Sequence, residues 1–155
     1  MAVFNPGTGG TLKSTTLERV SLEASMNLQN SETTTSGSKI AVNFFTGDNT
    51  VSIQAALPFT TTFMNGQVAL TPTDYVGVPF ANGGGDLQAT TLPGAVLELF
   101  QRLQNTEKAQ TDAGNKVQIT YDTEAGLATI NAEIPVVYVV AADGSLSIVA
   151  ESYLA

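Results

Sequence analysis

One stretch of this chain occurs twice. Residues 12–32 read LKSTTLERVSLEASMNLQNSE, and residues 87–107 read LQATTLPGAVLELFQRLQNTE. At an offset of 75, Leu12, Thr15, Thr16, Leu17, Leu22, Glu23, Leu28, Gln29, Asn30 and Glu32 recur as Leu87, Thr90, Thr91, Leu92, Leu97, Glu98, Leu103, Gln104, Asn105 and Glu107. An internal repeat restricts the folds open to a chain more tightly than any single motif, because each copy must form the same unit.

The repeated stretch reads as a helix. Leu17, Val20, Ala24 and Leu28 make one apolar stripe, matched by Leu92, Ala95, Leu99 and Leu103. Thr15 and Glu18 have capping-box spacing. Pro93 takes the Glu18 position, where a first helical turn tolerates proline. Asn30 and Asn105 stand where a left-handed residue would end each helix. Ser21 and Ser25 become Val96 and Phe100, so the second helix is predicted to be the more buried.

Alternating runs follow each helix. Ile40, Val42 and Phe44 share a phase with Val117, Ile119 and Tyr121, as expected for half-buried strands. FTGDNT and DTEAGL read as hairpin turns. At an offset of 77, Val51, Ile53, Ala55, Leu57 and Phe59 match Ala128, Ile130, Ala132, Ile134 and Val136, and Pro58 matches Pro135. Proline cannot donate to a central ladder, which predicts a bulge, bend or edge at that register. Asn65-Gly66 and Asp143-Gly144 read as two-residue hairpin turns. A last short strand closes each copy, and Tyr75 matches Tyr153.

The expected fold is α+β. A unit of lead-in strand, helix and three antiparallel strands is duplicated in tandem, with residues 1–77 forming the first copy and 78–155 the second. Each antiparallel sheet is covered by one helix, and the copies pack about a pseudo-twofold axis as one globular domain. One shared sheet and two packed sheets both satisfy the pattern. This order of elements resembles the repeated halves of sliding-clamp domains. Such clamps line a DNA channel with basic helices, whereas Glu18, Arg19 and Glu23, or Glu98 and Arg102, provide no positive lining.

Composition narrows the chemistry. Six basic residues face fourteen acidic ones, for a net charge of −8. Lys13, Arg19, Lys39, Arg102, Lys108 and Lys116 are scattered, so neither nucleic acid nor an anionic membrane is an expected partner. No signal peptide and no run of 18 apolar residues is visible, so no membrane insertion is expected. The chain has no cysteine and no histidine. Disulfides, thiolate nucleophiles, imidazole bases and the usual zinc ligand sets are therefore excluded.

What remains is sparse. Ser14, Ser36 and Ser38 lie near Lys13 and Lys39, but in turn-like stretches that point to solvated loops. Glu23 and Glu98 recur in the middle of each helix. They would be an acid–base pair if the helices met face to face, and ordinary flanking helix formers otherwise. Glu32 and Glu107 mark the helix ends. Asp48 with Asn49, Asp112 with Asn115, and Asp122 with Glu124 are partial oxygen sets without an EF-hand series. The glycine clusters near residues 7–10 and 83–85 fit neither phosphate-loop pattern. Tyr75, Tyr153, Phe44, Phe45, Phe59 and Phe63 could line a carbohydrate platform, though such residues at strand spacing are more often core.

No cofactor is expected and no catalytic motif is present. The composition predicts a non-enzymatic structural subunit that self-associates into a ring, tube, fibre or shell. Phage virion and bacterial surface-fibre subunits share this low charge and this abundance of Thr and Gly. Val3, Phe4, Tyr75, Phe80, Tyr153, Leu154 and Ala155 are the expected interface residues, through strand addition or burial. The alternative is a small ligand- or glycan-binding module with its pocket between the two copies.

Overall fold

The computed structural model describes residues 3–35, 37–110 and 112–154, with only the backbone at Met64. In chain order the elements are α1 (Leu17–Ser31), β1 (Ile40–Phe45), β2 (Thr50–Met64), β3 (Gln67–Pro72), α2 (Leu92–Ala109), β4 (Val117–Asp122), β5 (Leu127–Val140) and β6 (Leu146–Ala150). All six strands join one antiparallel sheet. Its centre runs β1-β2-β5-β4, β3 pairs with the far end of β2, and β6 pairs with the far end of β5. The chain is α+β, and the seam between its halves is the β2–β5 ladder. Of the two arrangements that the pattern allows, the structure has the single shared sheet, with both helices over it.

Strand alternation decides which face is covered. The cross-strand pairs Val51–Ile134, Ile53–Ala132, Ala55–Ile130 and Leu57–Ala128 are all buried, and they share one face because side chains alternate along a strand. Both helices lie on that face and pack against each other. Leu28, Leu99, Phe100 and Leu103 are wholly enclosed there, and each such side chain contributes about 1.5–3 kcal/mol of hydrophobic stabilisation.

The register of β1 on β2, Ile40–Ala55 to Phe45–Thr50, reappears 77 residues on as Val117–Ala132 to Asp122–Leu127. The prolines fit into this scheme. β1 leaves β2 at Ala55 and β3 joins it at Phe59, so Pro58 falls where no neighbouring strand needs an N–H. Pro135 sits in the same gap between β4 and β6. Their carbonyls still accept, from Thr73 and Glu151.

Several local expectations are corrected. The helix caps are Thr16 and Thr91, not Thr15, and their hydroxyls accept from the N–H groups of Arg19 and Gly94. Asn30 and Asn105 are helical, and α2 runs on to Ala109. The lead-in strands are only single bridges, Val3–Thr16 and Pro79–Thr91, because proline and glycine around them prevent a ladder. Asn65-Gly66 is a two-residue turn with both residues left-handed. At Asp143-Gly144 only the glycine is left-handed. Ala141 and Ser145 there close a three-residue loop, with the Asp143 carboxylate accepting from the Ser145 N–H.

The second helix is the more buried, as predicted, with ten enclosed residues against eight, but the excess lies at Gly94 and Glu107 and not at Val96 and Phe100. Ser21 and Ser25 are as enclosed as Val96 and Phe100. Their hydroxyls donate to the carbonyls one turn back, Leu17 and Ser21, so they enter the core without an unmet polar group. Small residues on one helix leave volume for large ones on the other.

The glycine clusters bind to each other. The Thr8 and Thr11 N–H groups donate to the Gly83 and Ala81 carbonyls, and the Asp86 N–H donates to the Asn5 carbonyl. A Cβ on Gly7 would lie 2.3 Å from the Gly83 oxygen. These glycines serve the close approach of two backbones.

Candidate functional site

Carboxylates anchor the chain to its helices. Glu23 accepts from the N–H groups of Lys13 and Ser14 and from the Ser14 hydroxyl. Glu98 accepts from the N–H groups of Gln88 and Ala89 and pairs with Arg102 at 3.1 Å. Each fastens its own lead-in to its own helix. Both carboxylates are engaged with the backbone, so neither is an idle solvated residue.

Glu32 and Glu107 do more than mark helix ends. Glu32 accepts from the Lys39 N–H at 2.7 Å and the Tyr75 hydroxyl at 2.6 Å. The buried Glu107 accepts from the Lys116 and Val117 N–H groups and the Tyr153 hydroxyl. The Lys39 and Lys116 ammonium groups stand 5.3 Å from the Tyr75 and Tyr153 ring centres. Each helix end, next strand and closing segment are thus tied at one carboxylate. The signal was present in the sequence, since Glu, Lys and Tyr recur together at offsets of 75, 77 and 78.

Burial, then the carboxylate hydrogen bond and charge, hold both tyrosine hydroxyls well above the ordinary phenol value of 10.0. Unfolded tyrosines ionise near pH 10 while the folded ones keep their protons. Stability from these groups is therefore complete below pH 10 and is lost as pH rises above it. Tyr75→Phe/Tyr153→Phe is expected to flatten that alkaline decline in urea midpoints measured from pH 8 to 11. An unchanged slope would mean that these hydroxyls titrate as free phenols.

Glu18 has no counterpart in the second helix. It is fully buried, and one oxygen accepts from the Leu154 N–H at 2.8 Å. The Arg19 guanidinium beside it donates to the Ala150 carbonyl. Together they hold the C-terminal segment on α1, in place of the capping box that the spacing suggests.

The expected interface residues separate into two groups. Phe4 and Leu154 are buried in this chain's own core, so in this conformation they present nothing to a neighbour. Tyr75, Phe80 and Tyr153 pack against that core as half-buried residues, while Val3 is exposed. Ala155 and Ser36 lie outside the described residues. Ser14 donates to Glu23 and the Lys13 ammonium to the Gly10 carbonyl, so they are not bonded as a serine–lysine pair. Among the described residues no cluster of three acidic side chains is placed to hold a metal ion. No helix among them is long and apolar enough to cross a membrane.

Two exposed surfaces remain. The sheet face away from the helices carries an open groove of about 510 Å³ over the β2–β5 seam. Ser52, Gln54, Gln118 and Asn131 line it together with Lys116 and Glu133, and no aromatic residue is among its lining. Phe59 is instead buried edge-on against Tyr121.

The other surface consists of the hairpin ends, which project past the body. Along the helix-side face of residues 59–72, the cross-strand pairs run from buried Phe59 with Pro72, through Thr61 and Leu70, to Phe63 and Val68. Along residues 136–150 they run from buried Val136 and Ala150, through Tyr138 and Ile148, to Val140 and Leu146. The end pairs are open to solvent: Phe63 is 76% exposed, Val68 57%, Val140 68% and Leu146 62%. Both arms continue the apolar face of the core beyond the reach of the helices. The sequence places these residues at the ends of long strands but does not tell that no helix covers them.

No family model, curated protein or solved structure matches this chain.

Proposed function

We propose that this chain is a structural subunit that self-associates, and that the apolar ends of its two arms are covered by other copies in a ring, tube, fibre or shell. The observation that carries this reading is the pair of exposed hydrophobic arm ends. A two-stranded ribbon is marginally stable alone in water, and contiguous exposed apolar surface marks an interaction site. The arms are nearly free of charge: residues 55–73 contain none, and residues 134–150 contain only Asp143. Contact through them brings little of the net charge of −8 together.

The same reading takes the chain as a tandem duplication with a pseudo-twofold axis through the Gln54–Asn131 pair. Ten shared residues in the helical stretch and the recurring β1–β2 and β4–β5 registers support it. In the β2–β5 ladder, Thr50–Pro135 and Pro58–Leu127 exchange under the same shift of 77.

The test is light scattering after size-exclusion chromatography, with negative-stain images of the same fractions. Oligomers of regular shape at micromolar concentration are expected, and a strict monomer at millimolar concentration would reject the reading. A second reading is favoured by the groove over the β2–β5 seam, whose hydroxyl and amide lining suits an uncharged polar ligand such as a sugar. A strict monomer whose melting temperature rises saturably with a disaccharide would put that reading in place of the first.

A further inference from the structure

We infer that each arm is an independent contact with another copy of this chain, so that every subunit has a valence of two and association runs on into a ring or filament instead of closing as a dimer. This rests on the self-assembly reading above.

The geometry of the central ladder supplies the first reason. β2 and β5 are antiparallel, and their shared ladder ends at Pro58–Leu127 on one side and Thr50–Pro135 on the other. Beyond Pro58, β2 continues into the first arm; beyond Pro135, β5 continues into the second. The arms therefore leave opposite ends of the sheet in opposite directions, and a neighbour seated on one leaves the other open.

Each arm is also built to accept a strand. The Phe59 N–H donates to the Gly126 carbonyl, and the Val136 N–H donates to the Asn49 carbonyl. Among the described residues no strand pairs with that edge farther out, at Thr61 and Phe63 or at Tyr138 and Val140. The same residues carry the apolar pairs on the helix-side face. A second copy's arm offers both things such an edge needs, a strand to add and an apolar face to bury. It also brings no charge into the contact beyond Asp143.

Surface area agrees with this valence. The chain exposes 8305 Å², whereas a folded monomer of this mass exposes about 7,400 Å². The excess of about 900 Å² compares with the roughly 800 Å² that one partner buries in a standard interface. An excess of that size is enough for two modest contacts, which closure of a ring or growth of a lattice would reinforce.

Two variants test the valence: Phe63→Ser/Val68→Thr in the first arm and Val140→Thr/Leu146→Ser in the second. All four positions are exposed, so melting temperatures should stay near wild type. Masses are read by sedimentation velocity. Each single-arm variant is expected to fall to a dimer, if like arms meet, or to a monomer, if unlike arms meet. In the second case, mixing the two variants yields a 1:1 dimer through the one intact pair of arms. A single-arm variant that keeps the wild-type mass would overturn the inference, as would monomers that do not combine on mixing. So would a wild type that stops at a dimer. A monomeric wild type would instead remove the self-assembly reading itself.

Discussion

Gly85→Ala is expected to lower the unfolding free energy by about 3 kcal/mol or more, while Gly9→Ala lowers it by about 1 kcal/mol. Gly85 does not have the left-handed backbone that favours glycine. The obstacle is steric, because an added Cβ would lie 2.3 Å from the Asn5 oxygen, 2.6 Å from the Pro6 carbonyl carbon and 2.7 Å from the Gly7 nitrogen. All three are main-chain atoms, so no rotamer change relieves the clash. The two lead-ins must separate, which endangers the bonds joining Asn5 with Asp86 and Thr8 with Gly83. Each such bond contributes about 0.5–1.5 kcal/mol, in addition to the strain of overpacking. Gly9 is the converse case: its φ is +74°, and nothing lies within 4 Å of a Cβ there. Urea unfolding of the two variants compares steric contact with backbone conformation directly. Equal losses would mean that the interlock between the lead-ins contributes nothing to stability.

The second large effect is expected at Glu107. Glu107→Ala should destabilise by about 3 kcal/mol, because the loss is an unmet buried donor as well as three missing bonds. The Val117 N–H, at the buried start of β4, would have no acceptor, and the Lys116 N–H and Tyr153 hydroxyl would lose theirs. Glu32→Ala removes the corresponding group from a half-buried position, where water can replace it, and should cause roughly half that loss. Thermal and urea midpoints of the two variants check the order. A reversed order would mean that burial does not set the strength of these clamps.

Both effects arise from contacts between separate segments of the chain, which residue spacing does not encode. The apolar stripes of both helices, the alternation in β1 and β4, and the long strands interrupted by Pro58 and Pro135 follow from spacing alone, because one-dimensional period encodes which face is buried. The Asn65-Gly66 turn is legible for a similar reason, since both its residues must be left-handed and Asn and Gly tolerate that. Asp143-Gly144 has the same letters' chemistry but a longer loop, because the adjacent Ala141 and Ser145 also bond.

Other roles depend on partners far away in the chain. Ser21 and Ser25 look like a polar flank until two helices share one sheet face. Glu18 looks like a cap, yet its partner is Leu154, 136 residues away. Glu32 and Glu107 recur visibly, but only the return of Tyr75 and Tyr153 gives the recurrence a purpose.

The elements, their phase and their recurrence are thus written in the sequence, because all of them depend on neighbours along the chain. That six strands form one sheet, that glycines serve backbone contact and that two arms project uncovered emerges only on packing. Those outcomes depend on which surfaces meet. Local periodicity shows that a residue is apolar, but only the packed chain shows whether anything lies against it.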